Sequence, residues 1–263
     1  MIKKILTVAL AGMMIVGSGS DAARSWFFTR AVAEEASPGW EGGFDLAEYD
    51  TFYLGDTSQK QIYLTFDVGY ENGYTTKILD VLRDKGVPAA FFATLPYLRE
   101  EPELVRRMID EGHVVANHTV RHKSSPTLSA DELAAELAGV ADYFKENFGT
   151  DMPMFWRPPM GQYCLRTLQT AKELGYSTVF WSFAYQDWLV DKQPAVATAH
   201  KKVVDGLHNG AILLLHAVSS ANAAAMGDII DSAHALGYEF VSLHNLNKAA
   251  FPPKITDCGS NMQ

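Results

Sequence analysis

Cysteine is scarce in this 263-residue chain, which has only Cys164 and Cys258. The two could pair in an oxidising compartment. Cys164, however, opens an apolar helical pattern where a thiol serves as a small buried hydrophobe, and nothing in the sequence requires a bridge. Basic residues are also in deficit: 22 Lys and Arg stand against 31 Asp and Glu, a formal net charge of −9. No basic run occurs beyond the extreme N-terminus. Nucleic acid is thereby excluded as a partner, because phosphate binding needs clustered cations. Long hydrophobic runs are missing too, apart from Ile5 to Val16. That run follows Lys3 and Lys4, precedes the small residues Gly17 to Ala23, and is too short for a comfortable span. The layout is that of a signal peptide cleaved near Ala22 or Ala23, with a retained N-terminal anchor as the alternative. No cysteine follows the run, so a lipoprotein anchor has no attachment point. Internal repeats and low-complexity tracts are absent, and no protein partner is evident.

What is present is 48% hydrophobic content, enough for one large domain with a sizeable core. From Ile62 onward strand and helix patterns alternate. The strand candidates are 62–66, 89–93, 114–117, 154–156, 178–181, 211–215 and 239–242. The intervening helix candidates are 75–85, 103–111, 130–147, 165–174, 195–207 and 223–236. Gly86, Gly112, Gly175 and Gly237 each fall just past a helix, where a left-handed cap belongs. Alternation of this kind predicts an α/β fold with a parallel sheet. Seven strands can close into a barrel or stay open as a doubly wound sheet. Ahead of them, Arg24 to Tyr49 carries Trp26, Phe27, Phe28 and Trp40 without periodicity and reads as an irregular extension.

Two histidines four residues apart, in Asn117-His118-Thr119-Val120-Arg121-His122, follow the third strand candidate. On a helical turn that spacing would stack both imidazoles on one face, a common way to hold a transition metal. Alone the pair is a weak signal. Other polar residues fall at equivalent places. Asp67 ends the first strand, Arg157 the fourth and His216 the sixth, while Asp187 and Trp188 follow the fifth. In a parallel barrel all of them converge on one rim, the face where such folds keep their chemistry.

Five ordered segments carry a resemblance to a known family: Thr65-Phe66-Asp67-Val68-Gly69, His118 to His122, Arg157-Pro158-Pro159-Met160-Gly161-Gln162-Tyr163, Asp187-Trp188 and Leu214-Leu215-His216. Together they resemble the polysaccharide deacetylases, carbohydrate esterases with the NodB homology domain, over roughly Ile62 to Leu246. The run Asp67 to Thr75, together with Phe52 to Gly55, is similar to the branch that removes acetyl from N-acetylmuramic acid of spore cortex peptidoglycan, which then forms muramic δ-lactam.

The resemblance implies a single distorted (β/α) barrel of about seven parallel strands with an irregular N-terminal extension. It divides the chain into a signal peptide (1–23), the extension (24–61), the deacetylase domain (62–250) and a loose tail (251–263). It implies Asp67 as general base, oriented by Arg157, and His216 as general acid, paired with Asp187. Trp188 and Leu215 would wall the acetyl methyl, and Tyr163 would offer its amide to the oxyanion. His118 and His122 would hold a divalent metal cation. Val68 stands where the family has an aspartate ligand, so the usual Asp-His-His set is reduced to the two histidines; Glu71 and Asn72 lie on the same loop as candidate replacements. The partner implied is a peptidoglycan glycan strand, met outside the cytoplasm in the wall or envelope. Chitin oligomers, acetylxylan and non-catalytic glycan binding stay open as alternatives. His113, His200, His208, His234 and His244 have no motif around them and read as structural or solvent-exposed.

Overall fold

The structure, a computed structural model, describes residues 22–26 and 45–247. Residues 1–21 of the expected signal peptide, Phe27, Phe28, Trp40, Cys258 and the 251–263 tail lie outside the described residues. Among the described residues no helix is long and apolar enough to cross a membrane.

The elements run β1 (Arg24–Ser25), β2 (Thr51–Phe52), β3 (Gln61–Val68), α1 (Thr75–Lys85), β4 (Ala90–Ala93), α2 (Leu95–Glu100), α3 (Pro102–Asp110), β5 (Val114–Asn117), α4 (Ala130–Phe148), β6 (Phe155–Trp156), β7 (Gln162–Tyr163), α5 (Leu165–Glu173), β8 (Ser177–Val179), β9 (Phe183–Ala184), α6 (Val196–Val204), β10 (Ala211–His216), α7 (Ser220–Ala235) and β11 (Glu239–Phe240). The sheet order is β2-β8-β6-β5-β4-β3-β10-β9, with β11 beside the start of β3. Every named strand pairing in this sheet is parallel, as strand–helix alternation dictates. β8, which lies next to the end strand β2, and β9, at the opposite end, are joined by only Phe180-Trp181-Ser182, so the sheet must curl on itself. The result is a distorted barrel.

All seven expected strands are present, as β3, β4, β5, β6, β8, β10 and β11, and the four glycines past the helices sit at φ of +65, +81, +86 and +83°. Several features depart from expectation, the short strand β9 among them. α2 was not foreseen; it starts at a Thr94 cap and has Pro96 in its first turn. Part of the 24–61 segment is regular, since β1 pairs antiparallel with β7 and β2 pairs with β8.

Alternation along β3 positions everything that follows. Ile62, Leu64, Phe66 and Val68 turn outward into the main core beneath the helices. Tyr63 faces the barrel interior with Phe52, Phe92, Val179 and Ile212. Each such buried side chain contributes on the order of 1.5–3 kcal/mol. Thr65 and Asp67 share the interior parity of Tyr63, and Asp67 therefore emerges at the carboxyl rim.

Away from that rim, two histidines are locked neutral. His208 is buried, with Nδ1 against Gly206 O at 2.8 Å and Nε2 at 2.8 Å from Ser182 Oγ. His113 is buried and its Nδ1 accepts from Ala89 N–H at 3.2 Å. Burial lowers the pKa of both. A histidine whose folded pKa is depressed stabilises the fold fully above its ordinary value, and that contribution is lost as pH falls from there toward the folded pKa. The urea midpoint is therefore expected to drop between pH 7.5 and pH 5.5, and to drop less in His208→Gln. Equal drops in both proteins would remove His208 from the account.

Candidate active site

The rim holds a cavity of about 680 Å³, within the range of small-molecule sites. Its lining includes Asp67, His118, His122, Trp188 and His216.

Arg157 organises the floor. The guanidinium is fully buried and makes four hydrogen bonds. Nη1 donates to Asp67 Oδ1 at 2.7 Å, Nη2 to Thr65 Oγ1 at 2.9 Å and to Phe180 O at 3.3 Å, and Nε to Val179 O at 2.9 Å. Its Cζ lies 4.1 Å from the centroid of the Phe92 ring. Pro158 restricts Arg157 to extended geometry, and the chain turns at Pro159–Gly161 just beyond it. Burial by itself would raise the pKa of Asp67. The adjacent guanidinium, with His118 and His216 nearby, outweighs burial and holds the carboxyl below its ordinary value.

On the opposite wall Asp187 is fully buried and accepts three bonds. His216 Nδ1 lies 2.7 Å from Oδ1, while the His216 backbone N–H at 2.8 Å and Asn222 Nδ2 at 2.6 Å both meet Oδ2. Because the carboxylate accepts at Nδ1, that nitrogen carries the proton, and Nε2 is the face left for substrate. Burial pulls the His216 pKa down, but the bond to and charge of Asp187, with Asp67 adding, carry it above the ordinary histidine value.

The His118–His122 pair does not sit on a helix. Thr119 and His122 have φ of 71° and 51°, left-handed values that no helix contains. Asn117 Oδ1 takes the Thr119 amide and Thr119 Oγ1 takes the His122 amide, at 3.0 and 3.1 Å, which winds a tight loop instead. The rings still meet, with centroids 4.8 Å apart. His118 Nδ1 lies 2.9 Å from Arg157 O, which fixes the proton there and leaves Nε2 lone-pair outward, 3.6 Å from Asp67 Oδ2. Burial drives the pKa of His118 down to about 4, so the ring is neutral near pH 7. A neutral imidazole whose far nitrogen donates to a carbonyl is the form that ligates a cation. The two imidazoles thus fit a divalent cation as a two-nitrogen set. Among the described residues no group of three or more His, Cys, Asp or Glu is arranged to hold one.

The remaining expectations resolve by strand parity and local capping. Val68 is 1% exposed and packs in the core under the helices. Glu71 and Asn72 do not replace the missing ligand. Glu71 caps α1 through the amides of Tyr74 and Thr75 at 2.8 and 3.3 Å, and Asn72 Nδ2 donates to Val218 O at 3.0 Å. Leu215 is not a wall of the cavity. On β10 it shares the outward parity of Leu213, so Leu214, which alternates with it, lines the cavity. Trp188 does line it, half-exposed, its ring 5.4 Å from that of His216. The Tyr163 side chain is buried, its ring 5.0 Å from that of Phe180, while Met160 and Gly161 of the same segment reach the cavity. Met160 holds φ 58°, a strained value for a side chain of that size and one that places it at the mouth. Sequence reasoning also missed Thr65, Asn222, Trp181 and Arg121. Only Thr65 had a usable signal, being two residues before Asp67 on the same face of β3.

The arrangement is a carboxylate biased toward its ionised form and an imidazole biased toward its protonated form lining one cavity, with the His118 and His122 imidazoles beside the carboxylate. Comparison with known proteins agrees with that chemistry. Residues 54–179 match the family model described as polysaccharide deacetylase. The chain is 38% identical, over 93% of its length and 95% of the relative's, to the peptidoglycan-N-acetylmuramic acid deacetylase PdaA of Bacillus subtilis (strain 168). The solved structure of Bacillus subtilis PdaA, described as a family 4 carbohydrate esterase, superposes with a TM-score of 0.83 at 40% identity, covering 86% of this chain and 97% of that one. A family 4 carbohydrate esterase from Bacillus anthracis superposes at 0.68 with 42% identity, covering 82% of this chain and 98% of that one.

Proposed function

The chain belongs to the polysaccharide deacetylase family, and on that premise we propose that it hydrolyses the N-acetyl group of muramic acid residues in a peptidoglycan strand. The observation that carries the reading is the pairing of Asp67 with Arg157 on one side and of His216 with Asp187 on the other. A protein that only held a glycan would have no use for a base kept ionised and an acid kept protonated. The freed amine lies next to the lactyl group and can close onto it as muramic δ-lactam, which ties the protein to spore cortex. The N-terminal layout supports export, with the enzyme working in the wall or envelope.

The mechanism follows from the charge states. Asp67 Oδ2 accepts a proton from water, and the oxygen forms a bond to the acetyl carbonyl carbon. Arg157 keeps the carboxylate ionised and fixed until that moment. A divalent cation on His118 and His122 would add Lewis acidity at the same carbonyl. His216 Nε2 gives its proton to the sugar nitrogen as the C–N bond breaks, and Asp187 stabilises the imidazolium beforehand. Acetate and a free amine leave, and the proton on Asp67 is returned through solvent. Leu214 and Trp188 exclude water from around the methyl.

The decisive experiment is acetate release from three substrates: a peptide-free muramic glycan, a chitooligosaccharide and acetylxylan. Preference for the first is the expected result. A second reading, glycan binding without turnover, is favoured by Val68, which leaves the cation a two-nitrogen set. Binding of all three substrates with no acetate released would establish it.

His216→Ala tests the acid role separately. Amide hydrolysis is expected to slow by about 10²- to 10⁴-fold, since a sugar amine cannot leave unprotonated. Cleavage of an activated acetyl ester should fall far less. Equal losses on the two substrates would show that His216 does something other than protonate the leaving group.

A further inference from the structure

Arg121 lies between the two histidines of the loop and lines the cavity. Its backbone N–H donates to Glu136 Oε2 at 2.8 Å, and its Nε–H donates to Oε1 of the same carboxylate. Glu136 is 1% exposed, on α4. A carboxylate is costly to bury and is spent here on one arginine. The arginine side chain itself is 55% exposed. Among the described residues its Nη1 and Nη2 have no hydrogen-bond or ion-pair partner. Glu136 thus grips one edge of the guanidinium and the loop that bears it, and leaves the outer fork free. Among the described residues Arg121 is the only Lys or Arg lining the cavity. Arg157 beneath is fully committed to Asp67, Thr65 and two carbonyls. In a chain of net charge −9, a pre-positioned free guanidinium at the site points to an anion on the substrate.

A muramic residue carries one anion that a glucosamine residue lacks: the carboxylate of the lactyl ether at C3, adjacent to the acetamido carbon. We propose that Arg121 pairs its Nη edge with that carboxylate and thereby selects muramic residues whose lactyl group is free over glucosamine residues and over muramic residues capped as amides. The proposal rests on the deacetylase reading above. It identifies a specificity-determining residue, acting on substrate through the fork that Glu136 orients.

The test compares wild type, Arg121→Gln and Arg121→Lys on three soluble oligosaccharides of equal length. They are a peptide-free muramic glycan with free lactyl carboxylates, the same glycan with those groups converted to carboxamides, and an N-acetylglucosamine oligomer. Wild type is expected to prefer the carboxylate form. Arg121→Gln should lose about ten- to a hundredfold in kcat/KM on it, chiefly through KM. On the carboxamide it should lose less than about threefold. Arg121→Lys should recover part of the preference. Equal losses on carboxylate and carboxamide, or no loss on either, would overturn the proposal while leaving the deacetylase reading intact. If Arg121→Gln does not fold, wild type alone decides. Raising salt from about 20 to about 200 mM should raise KM on the carboxylate glycan and not on the carboxamide, and no difference between them overturns the proposal. If wild type releases no acetate from any of the three, the deacetylase reading fails. Calorimetric titration with the two muramic glycans then judges Arg121 alone, and a wild type without tenfold preference for the carboxylate overturns its role as well.

Discussion

Replacing Asp67 by Asn is expected to remove acetate release almost completely, with kcat lowered by about 10²- to 10⁴-fold or more. The side-chain oxygen of asparagine can still accept from Arg157 Nη1, so the contact at 2.7 Å survives in kind, but the buried guanidinium loses its counter-charge and the melting temperature should fall. What disappears is the ability to accept a proton. The wild-type pH profile should show the same group. Activity needs Asp67 ionised, and its pKa is held down, so the acid limb should lie below the ordinary carboxylate range. Activity also needs His216 protonated, and its pKa is held up, so the alkaline limb should lie above the ordinary histidine value. A variant within a few-fold of wild type in kcat would take the role of base away from Asp67.

The second large effect is expected at Arg157. Arg157→Leu leaves the Asp67 carboxylate without its main counter-charge and strips donors from Thr65 Oγ1, Val179 O and Phe180 O. Breaking a buried ion pair from one side costs about 3–5 kcal/mol. For a chain of this size that lowers the melting temperature by on the order of 10 °C. Without the guanidinium the burial effect on Asp67 is no longer opposed, so its pKa should rise and the acid limb move toward neutrality. Arg157→Lys should restore part of the charge and little of the four-way bonding. The double variant with Asp67→Asn should be destabilised by less than the sum of the single changes, because the orphaned charge is gone. A melting temperature and acid limb both unchanged in Arg157→Leu would refute this account.

Much of the architecture was legible because its signal is local. The strand and helix periods from Ile62 onward, and the glycines that end the helices, are set by residues within a few positions of one another. The rim residues were legible because a parallel strand delivers its last side chain to one known face. The misreadings each needed information from further away. Leu215 and Leu214 are both apolar, and only the parity fixed by His216 at the rim says which one faces the cavity. The His118–His122 spacing suits a helix. The side chains of Asn117 and Thr119 captured the amides first and wound a loop. Glu71 resembled a spare ligand, but the open N-terminus of α1 lay closer. Arg121 gave no signal, since its meaning depends on Glu136, fifteen positions away on another element.

One feature of the sheet governs how an active molecule comes into being. Between β8 and β9 the chain steps from beside the end strand β2 to the opposite end of the sheet across Phe180-Trp181-Ser182. At that seam Val179 O and Phe180 O accept from Arg157. The guanidinium that tunes the base thus also ties β3, through Thr65 and Asp67, to the β8 side of that seam. A chain that has collapsed but not yet closed has no cage for Arg157 and hence no ionised, aligned Asp67. During refolding, helical signal should return early, because helices rest on local contacts, whereas hydrolytic activity should appear only with the slow long-range step. Enzymatic activity in this protein is a readout of ring closure, and an assay for acetate doubles as a clock for the last event of folding.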